Sequence, residues 1–257
     1  MSNSIKINYE KFNIVQIGAG GTGANLDFFL SRLIWSLNKT GQKKIQFTVV
    51  DADTVEEKNI FRQPFIEAEL GKNKAEIMAR RYGSALGLEI FFKRQQITDK
   101  KSLMDLLTYE DYIPILIGCV DNDKSRCIFH DVFEDKKVKN MIWIDSGNEQ
   151  TSGQVVLGIK GNGNVLLPPV TYLYPNILRN PGEFNNPESC SKIDVTDVTK
   201  LSQFLSTNAT AAVVVLNFLT VILLGYEIKT NEVNFNILAN HIKPTYIDYS
   251  SMFDEAI

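Results

Sequence analysis

The sequence predicts an α/β fold in which a mostly parallel sheet carries helices on both faces. Over the first 145 residues, short apolar runs alternate with amphipathic segments, which is the pattern of repeated strand–helix units. Hydrophobic residues make up 44% of the 257-residue chain and charged residues 22%, so the chain can bury a sizeable core and is not of the disordered class. A glycine-rich loop follows the first apolar run, as in folds that bind a phosphate group.

Five apolar runs mark the predicted strands of this sheet: 12–17, 45–50, 89–94, 113–119 and 141–144. Pro114 excludes the first residue or two of the fourth strand, because proline lacks the backbone donor that a sheet ladder needs. Four segments between the runs have apolar residues at helical spacing: 26–37, 74–86, 102–107 and 125–133.

The sequence pattern changes after Asp145, where the alternation of strand-like and helical segments ends. A β-like run at 154–159 is followed by a stretch at 168–192 that holds five of the eight prolines and is typical of a long loop. An apolar helix is predicted at 207–224, and alternation at 232–238 predicts a half-exposed strand. We therefore expect one domain over 1–257, with a core at 12–148 and a C-terminal extension at 149–257 that adds further strands and a buried helix.

The apolar helix is the segment most similar to a membrane span. Its longest apolar stretch, 209–224, has 16 residues and includes Thr210, Asn217 and Thr220, whereas crossing a bilayer takes roughly 20 residues. We expect a buried core helix and no membrane association. The polar N-terminus lacks a secretory signal and the cysteines are few, so we expect a cytoplasmic protein.

The glycine-rich loop runs from Gly18 through Gly20 and Gly21 to Gly23, between a predicted strand and a predicted helix. Glycines let the backbone approach a phosphate, and the helix N-terminus offers free N–H groups, so the context is Rossmann-like. Asp51 ends the next strand, where a ribose-binding carboxylate belongs. This loop alone does not separate NAD from ATP, and a purely structural glycine turn remains possible.

Four later segments bear on the choice between these ligands, and they follow one another in a fixed order. They are DADTVE at 51–56 with NIFRQ at 59–63, LGKNKAE at 70–76, CVDN at 119–122, and WIDSG at 143–147 with GQV at 153–155. In combination with the glycine loop, this series resembles the ThiF/MoeB family, the bacterial relatives of ubiquitin-activating enzymes.

The resemblance implies an ATP-dependent adenylyltransferase. Such enzymes use ATP and Mg²⁺ to adenylate the C-terminal carboxylate of a ubiquitin-like or sulfur-carrier protein, with release of pyrophosphate. It implies that the catalytic residues include Arg62, Lys74 and Asp121, and that Asp121 is the magnesium ligand. The implied nucleotide-binding residues are Gly18, Gly20, Gly21, Gly23, Asp51, Asp53, Asn59, Arg62, Gln63, Lys74, Asp121 and Asn122. Asp53 has an equally good interpretation as a residue that holds the strand end.

The cysteines set two further expectations. Many family members bind a structural zinc ion through two CxxC pairs, but the three cysteines here form no such pair, so we expect no zinc. Cys190 lies in the proline-rich loop where relatives often place a reactive cysteine, and it could accept the carrier as a thioester or persulfide. An inert loop thiol is the alternative. Cys119 and Cys127 are expected to be small core residues.

The C-terminal segments suggest the partners. SCS around Cys190, TNATAA at 207–212 and IKPT at 242–245 resemble the PRTRC-system branch of ThiF proteins, which implies a ubiquitin-like protein substrate. The family also implies a homodimer. The net charge of −3 and the pI near 5.5 argue against nucleic acid as a partner.

Two other functions stay open at this point. A catalytically inactive ThiF-like module would bind a ubiquitin-like protein without activating it, although the intact set of Arg62, Lys74 and Asp121 argues against this reading. An NAD-dependent oxidoreductase would share the glycine loop and Asp51, but it gives no reason for the NIFRQ and CVDN segments.

Overall fold

A computed structural model describes residues 4–179 and 203–248 of the chain. Its strands are β1 (Ile5–Lys6), β2 (Lys11–Ile17), β3 (Lys44–Val50), β4 (Phe91–Lys93), β5 (Ile113–Gly118), β6 (Met141–Asn148), β7 (Ser152–Gly161), β8 (Asn164–Leu167), β9 (Glu227–Ile228), β10 (Thr230–Asn236) and β11 (His241–Tyr246). Its helices are α1 (Gly21–Thr40), α2 (Glu57–Ile60), α3 (Lys74–Leu86), α4 (Lys100–Leu107), α5 (Asp123–Phe133), α6 (Val170–Leu173), α7 (Asn176–Arg179) and α8 (Leu205–Leu223).

The central sheet of the described residues has a parallel half and an antiparallel half. Strands β4, β3, β2, β5 and β6 lie side by side in that order and are all parallel. Strand β6 turns directly into β7, and β7, β10 and β11 continue the sheet in antiparallel order, with β8 also paired to β7. The predicted α/β fold, a mostly parallel sheet extended C-terminally by further strands, is confirmed. The strands of the extension join the sheet in antiparallel order.

The order of the parallel strands locates the binding crevice. The chain goes from β2 outward to β3 and β4, then returns to the other side of β2 to form β5 and β6. Strand order therefore reverses between β2 and β5, and the carboxyl ends of these two strands form the crevice where open α/β sheets bind ligands. The glycine-rich loop follows β2 at this point.

Several element boundaries differ from the predicted ones for identifiable reasons. Helix α1 begins inside the glycine loop and ends at Thr40. The next residue, Gly41, caps the helix C-terminus in the left-handed conformation, with a φ of 67°. Pro114 lies within β5 opposite Asn13 of β2, and it is tolerated because pairing with β6 begins only at Ile115. The predicted loop at 168–192 contains the short helices α6 and α7 in its described part, and its remainder lies outside the described residues.

Helix α8 packs against α1 and against strands β6 and β7. Its face toward them is apolar and buried, with Ala211, Val215 and Leu219 at helical spacing. Among the described residues, α8 is the helix that is long and apolar enough to cross a membrane, and half of its most apolar stretch is buried inside the fold. This packing agrees with the core helix expected from the sequence.

The corner between β2 and α1 is closed by backbone contacts that only glycine permits. Gly18 has a φ of 98°, and its N–H donates to the carbonyl of Val50 at 2.8 Å. A Cβ atom on Gly23 would collide with the carbonyl of Gly18 and lie 2.8 Å from Nε2 of Gln16. The first turn of α1 can therefore lie directly on the end of β2.

This contact predicts a large difference between two glycines of one loop. Gly23→Ala should lower the free energy of unfolding by about 2–3 kcal/mol, since backbone must move to admit the methyl group. Gly20→Ala should lower it by less than about 1 kcal/mol, because φ is −83° and the nearest atom to the new Cβ is 3.7 Å away. Urea unfolding followed by circular dichroism measures both, and equal losses would contradict the packing argument.

Asp27 is a buried carboxylic acid on the inner side of α1. Burial raises the pKa of this group well above its ordinary value, and the nearby charge of Asp51 raises it further, against the opposing effects of Gln16 and Arg81. The folded state consequently binds a proton that the unfolded chain releases near pH 4.

Linkage then predicts how stability depends on pH. As pH rises from about 4 toward the raised pKa, the unfolded chain loses its proton first, so this group makes folding progressively less favourable. Asp27→Asn removes that effect, and its stability relative to the wild type should increase as pH rises across this window. Urea unfolding at closely spaced pH values tests this expectation, and parallel profiles for the two proteins would rule it out.

Candidate functional site

The N-terminus of α1 lies in the crevice between β2 and β5. The first hydrogen bond within the helix joins the N–H of Ala24 to the carbonyl of Gly20. The preceding N–H groups of the first turn have no acceptor within a helix, so they present partial positive charge to the crevice. A 20-residue helix ending in this way is a suitable site for a phosphate group.

Asp51 connects the end of β3 to this loop. Its Oδ2 accepts a hydrogen bond from the N–H of Ala19 at 2.6 Å, and its Oδ1 accepts one from the N–H of Asp53 at 2.8 Å. Burial raises the pKa of Asp51, while these two bonds and the charge of Lys74 act in the opposite direction. Each carboxylate oxygen keeps a second lone pair, so the predicted contact with a ribose remains chemically possible.

Lys74 is held beside Asp51 by the first turn of α3. The preceding residue, Asn73, caps this helix by accepting the N–H of Glu76, and its Nδ2 donates to the carbonyls of Asp51 and Asp53. The Lys74 side chain is 7% exposed, and its Nζ lies 3.2 Å from Oδ2 of Asp53, which is 72% exposed. The Asp53 carboxylate thus contacts the lysine, while its carbonyl secures the start of the helix.

Arg62, Gln63 and Asn59 lie next to the glycine loop on the other side. The carbonyl of Asn59 accepts the N–H groups of Arg62 and Gln63, and its Oδ1 caps α2 by accepting the N–H of Glu56. Arg62 and Gln63 are both buried, and Nε2 of Gln63 lies against Gly20. The structure therefore places Gln63 against the glycine loop and buries its neighbour Arg62 in the same segment.

The segment that carries these residues is braced from α3 by Arg81. Its Nη1 donates to the carbonyl of Pro64 at 2.8 Å, and its Nη2 donates to Oε2 of Glu69 at 2.6 Å. A planar guanidinium that spans two points of one loop limits the motion of that loop.

Asp121 and Asn122 follow β5 at the opposite side of the crevice. The carbonyl of Cys119 packs against Gly18, which brings this loop to the glycine loop. Asp121 is exposed and makes no hydrogen bond or ion pair within the described part of the chain. Asn122 caps α5, because its Oδ1 accepts the N–H of Ser125 at 2.9 Å.

The same loop is held in place by a buried arginine. Nε of Arg126 donates to Oδ1 of Asp145 at 2.8 Å, and Nη1 donates to Oδ1 of Asp123 at 2.9 Å. Nη2 donates to the carbonyls of Val120 and Ser146. Helix periodicity alone leaves Arg126 as a surface residue, whereas the structure makes it the fixed support of the loop after β5.

A second group of residues at the site comes from outside the motifs. Nδ2 of Asn148, at the end of β6, donates to Oγ1 of Thr22 in the glycine loop at 2.7 Å and to Oδ1 of Asn208 at 3.3 Å. Asn208 belongs to the first turn of α8 and lies directly against Gly21. In the sequence it belongs to the TNATAA segment and to the polar start of an apolar helix, and neither pattern predicts a contact with the glycine loop.

The two cysteines of the described residues have thiols of raised pKa. Burial raises the pKa of both Cys119 and Cys127, which favours the protonated thiol over the nucleophilic thiolate. Cys190 lies outside the described residues. Of the histidines, His130 pairs with Thr171 at 3.0 Å, and His241 begins β11.

In the described part of the chain, no group of three His, Cys, Asp or Glu side chains could hold a metal ion. A magnesium ion is commonly bound by one or two carboxylates, with phosphate oxygens and water as the other ligands. The exposed and unpaired carboxylate of Asp121 fits that arrangement.

Comparisons with known proteins agree with this fold. Among solved structures, E. coli MccB with ATP has a TM-score of 0.61 and 17% identity over 91% of this chain and 63% of its own. PaaA has a TM-score of 0.60 and 17% identity over 92% of this chain and 64% of its own. The chain thus spans slightly less than two thirds of the length of these neighbours, with which it shares the fold.

Among curated proteins, none matched the chain by sequence. The family model described as the ThiF family matches residues 7–251, which is nearly the whole chain. The motif resemblance is confirmed, and the chain belongs to the ThiF family.

Proposed function

We propose that this protein is an ATP-dependent adenylyltransferase that activates the C-terminal carboxylate of a small carrier protein, of the ubiquitin-like or sulfur-carrier kind, or of a peptide. The observation that carries the proposal is the burial of two cations, Arg62 and Lys74, in segments that reach the glycine loop through Gln63 and through Asp51. Two positive charges held out of water in segments that adjoin a phosphate-binding loop suit a polyphosphate. E. coli MccB, a neighbour in fold, was crystallised with ATP and also with AMPCPP and MccA.

The proposed reaction needs neither histidine nor cysteine. A C-terminal carboxylate has a pKa of about 3.5, so it is already an anionic nucleophile at neutral pH and needs no general base. One of its oxygens forms a bond to the α-phosphorus of ATP, and the bond from that phosphorus to the bridging oxygen breaks. Pyrophosphate leaves with the electron pair of the broken bond, and the carrier becomes an acyl adenylate.

The residues of the site have to position two anions that repel each other. The first-turn N–H groups of α1, Arg62 and Lys74 offset the charge of the phosphate chain, and the fixed orientation of these groups avoids reorganisation during the reaction. Arg62 offers a planar fork for two phosphate oxygens, and Lys74 offers a point charge. Asp51 is our candidate for the ribose contact, the Asn59 and Asn122 side chains cap α2 and α5, and Gln63 lies against Gly20.

Asp121 is the residue that would bind Mg²⁺. When bound, the ion would neutralise charge on the phosphates and align them. The contribution of the chain is to place one unpaired carboxylate at the mouth of the crevice, on a loop that Arg126 fixes from below.

The finer parts of the proposal come from the sequence. A ubiquitin-like partner, membership of the PRTRC-system branch, a homodimer and a cytoplasmic location are consistent with a ThiF-family chain and remain predictions. Cys190 is our candidate for a covalent step after adenylation.

The two alternatives differ from this proposal in what they bind. An oxidoreductase would bind NAD through the glycine loop and Asp51, which leaves the NIFRQ and CVDN segments without a role. An inactive module would bind the carrier and show no ATP–pyrophosphate exchange.

The decisive experiment has two parts. Calorimetric titrations measure the binding of ATP and of NAD, and ATP–pyrophosphate exchange is assayed in the presence of small proteins encoded beside the gene. Binding of ATP with exchange supports the proposal, while binding of NAD alone, or ATP binding with no exchange for any neighbour, contradicts it.

Two lysines of the same turn provide a matched comparison for the phosphate site. Lys74→Ala should reduce the exchange rate about 10²-fold, because a preorganised charge next to the reacting phosphates is lost. Lys72→Ala removes the same charge from an exposed side chain that contacts only the carbonyl of Ala68, and should change the rate less than about twofold. Equal rates in the two variants would remove Lys74 from the mechanism.

Asp121→Asn tests the metal assignment independently. The substitution preserves the size of the side chain and removes the charge that a hard cation needs, so exchange should fall below about 1% of the wild-type rate. Raising the Mg²⁺ concentration should restore part of it. An unaltered exchange rate and an unaltered magnesium dependence would show that the ion is bound elsewhere.

A further inference from the structure

Asn208 is a buried amide that lies directly over the phosphate-binding loop. Its side chain is 1% exposed, although it belongs to the first turn of α8. It occupies the space that a side chain on Gly21 would need, since a Cβ atom there would lie 2.5 Å from Cγ and 2.9 Å from Oδ1 of Asn208, with Nδ2 closer still. The third glycine of the loop thus makes room for this amide.

The orientation of the amide is set by its neighbours. Oδ1 of Asn208 accepts a hydrogen bond from Nδ2 of Asn148, which is itself held by Oγ1 of Thr22. Turning the Asn208 amide over would place its NH₂ group against the NH₂ group of Asn148, where both are donors. Nδ2 of Asn208 is therefore the end that faces Gly21.

Nδ2 has no acceptor within the described part of the chain. A buried donor without a partner is unfavourable, and such a group in a folded protein calls for an explanation. Here the donor adjoins the first residue of α1, where the helix N–H groups also lack acceptors. The start of α8 is fixed besides, because the N–H of Phe204 and Oγ1 of Thr207 both donate to the carbonyl of Gln150.

We propose that Asn208 is a nucleotide-binding residue, whose Nδ2 donates a hydrogen bond to a phosphate oxygen of ATP bound at the N-terminus of α1. This inference rests on the proposed function and adds to it a residue of the C-terminal extension. A phosphate oxygen supplies the acceptor that the fold lacks, and a hydrogen bond to a charged acceptor is stronger than one between neutral groups. Helix α8 would then contact the phosphate chain of the nucleotide through the Asn208 side chain.

Three ligands separate this role from simple packing. ATP and AMP carry phosphate and adenosine does not. Loss of the Asn208 donor should therefore weaken the binding of ATP and AMP and leave the affinity for adenosine unchanged. In calorimetric titrations we expect Asn208→Ala to weaken ATP binding about tenfold, and Asn208→Asp, which places a carboxylate at the phosphate, to weaken it about a hundredfold. Asn217→Ala, an exposed asparagine on the same helix, is the matched control and should bind all three ligands like the wild type.

A measurement on the unaltered protein covers the case in which these variants do not fold. The side-chain amide signals of Asn208 in ¹⁵N-resolved NMR spectra should shift on addition of ATP and stay in place on addition of adenosine. Two results would overturn the inference and leave Asn208 a packing residue. One is a set of Asn208 amide signals that do not shift when ATP is added, and the other is an equal loss of affinity for ATP and adenosine in the variants. If the wild type binds ATP and only the Asn208 effect is absent, the proposed function stands. A wild type that binds none of the three ligands contradicts both.

Discussion

The close backbone contact between Gly18 and Gly23 is the constraint on which the rest of the structure depends. It allows the N-terminus of α1 to lie on the carboxyl ends of β2 and β5, so that free N–H groups meet the crevice. Asp51 can then reach the N–H of Ala19 from the neighbouring strand, and the loop after β5 can pack on Gly18. A side chain at either glycine would separate these parts, because the atoms it would meet are backbone atoms with little freedom to move.

Charge burial is the second organising feature, and it follows from the crowding at this corner. Arg126 is enclosed but finds two carboxylates and two carbonyls, so its charge is compensated and the loop bearing Asp121 is held. Lys74 is even less exposed than Arg126, and its ion-pair partner among the described residues is the exposed Asp53, which leaves much of its charge available. The two cations thus have different roles: the first supports the site, and the second faces it.

Local patterns were enough to predict most elements of the parallel half of the sheet. Runs of apolar residues correspond to β2, β3, β5 and β6, because these strands are buried on both faces, and helical spacing predicted α3 over its whole length. The extension was predicted only in outline. Whether β7, β10 and β11 join the sheet in parallel or antiparallel order depends on connections that short windows of sequence do not reveal, and α6 and α7 are too short to leave a periodic signal.

For the site, the sequence was enough to predict the residue types: the glycine loop, the pair Arg62 and Lys74, and the lone Asp121 stand at spacings typical of the ThiF family. The surroundings of these residues follow from the packing of distant elements. Helix periodicity suggests a surface position for Arg126, whereas in the structure Asp145 of β6 pairs with it. Asn208 reads as part of a helix start, whereas in the structure it packs on Gly21, 187 positions earlier in the chain. The physical reason is that a motif records contacts between residues near one another in the sequence, whereas an unpartnered amide over a phosphate loop arises only when distant elements pack together.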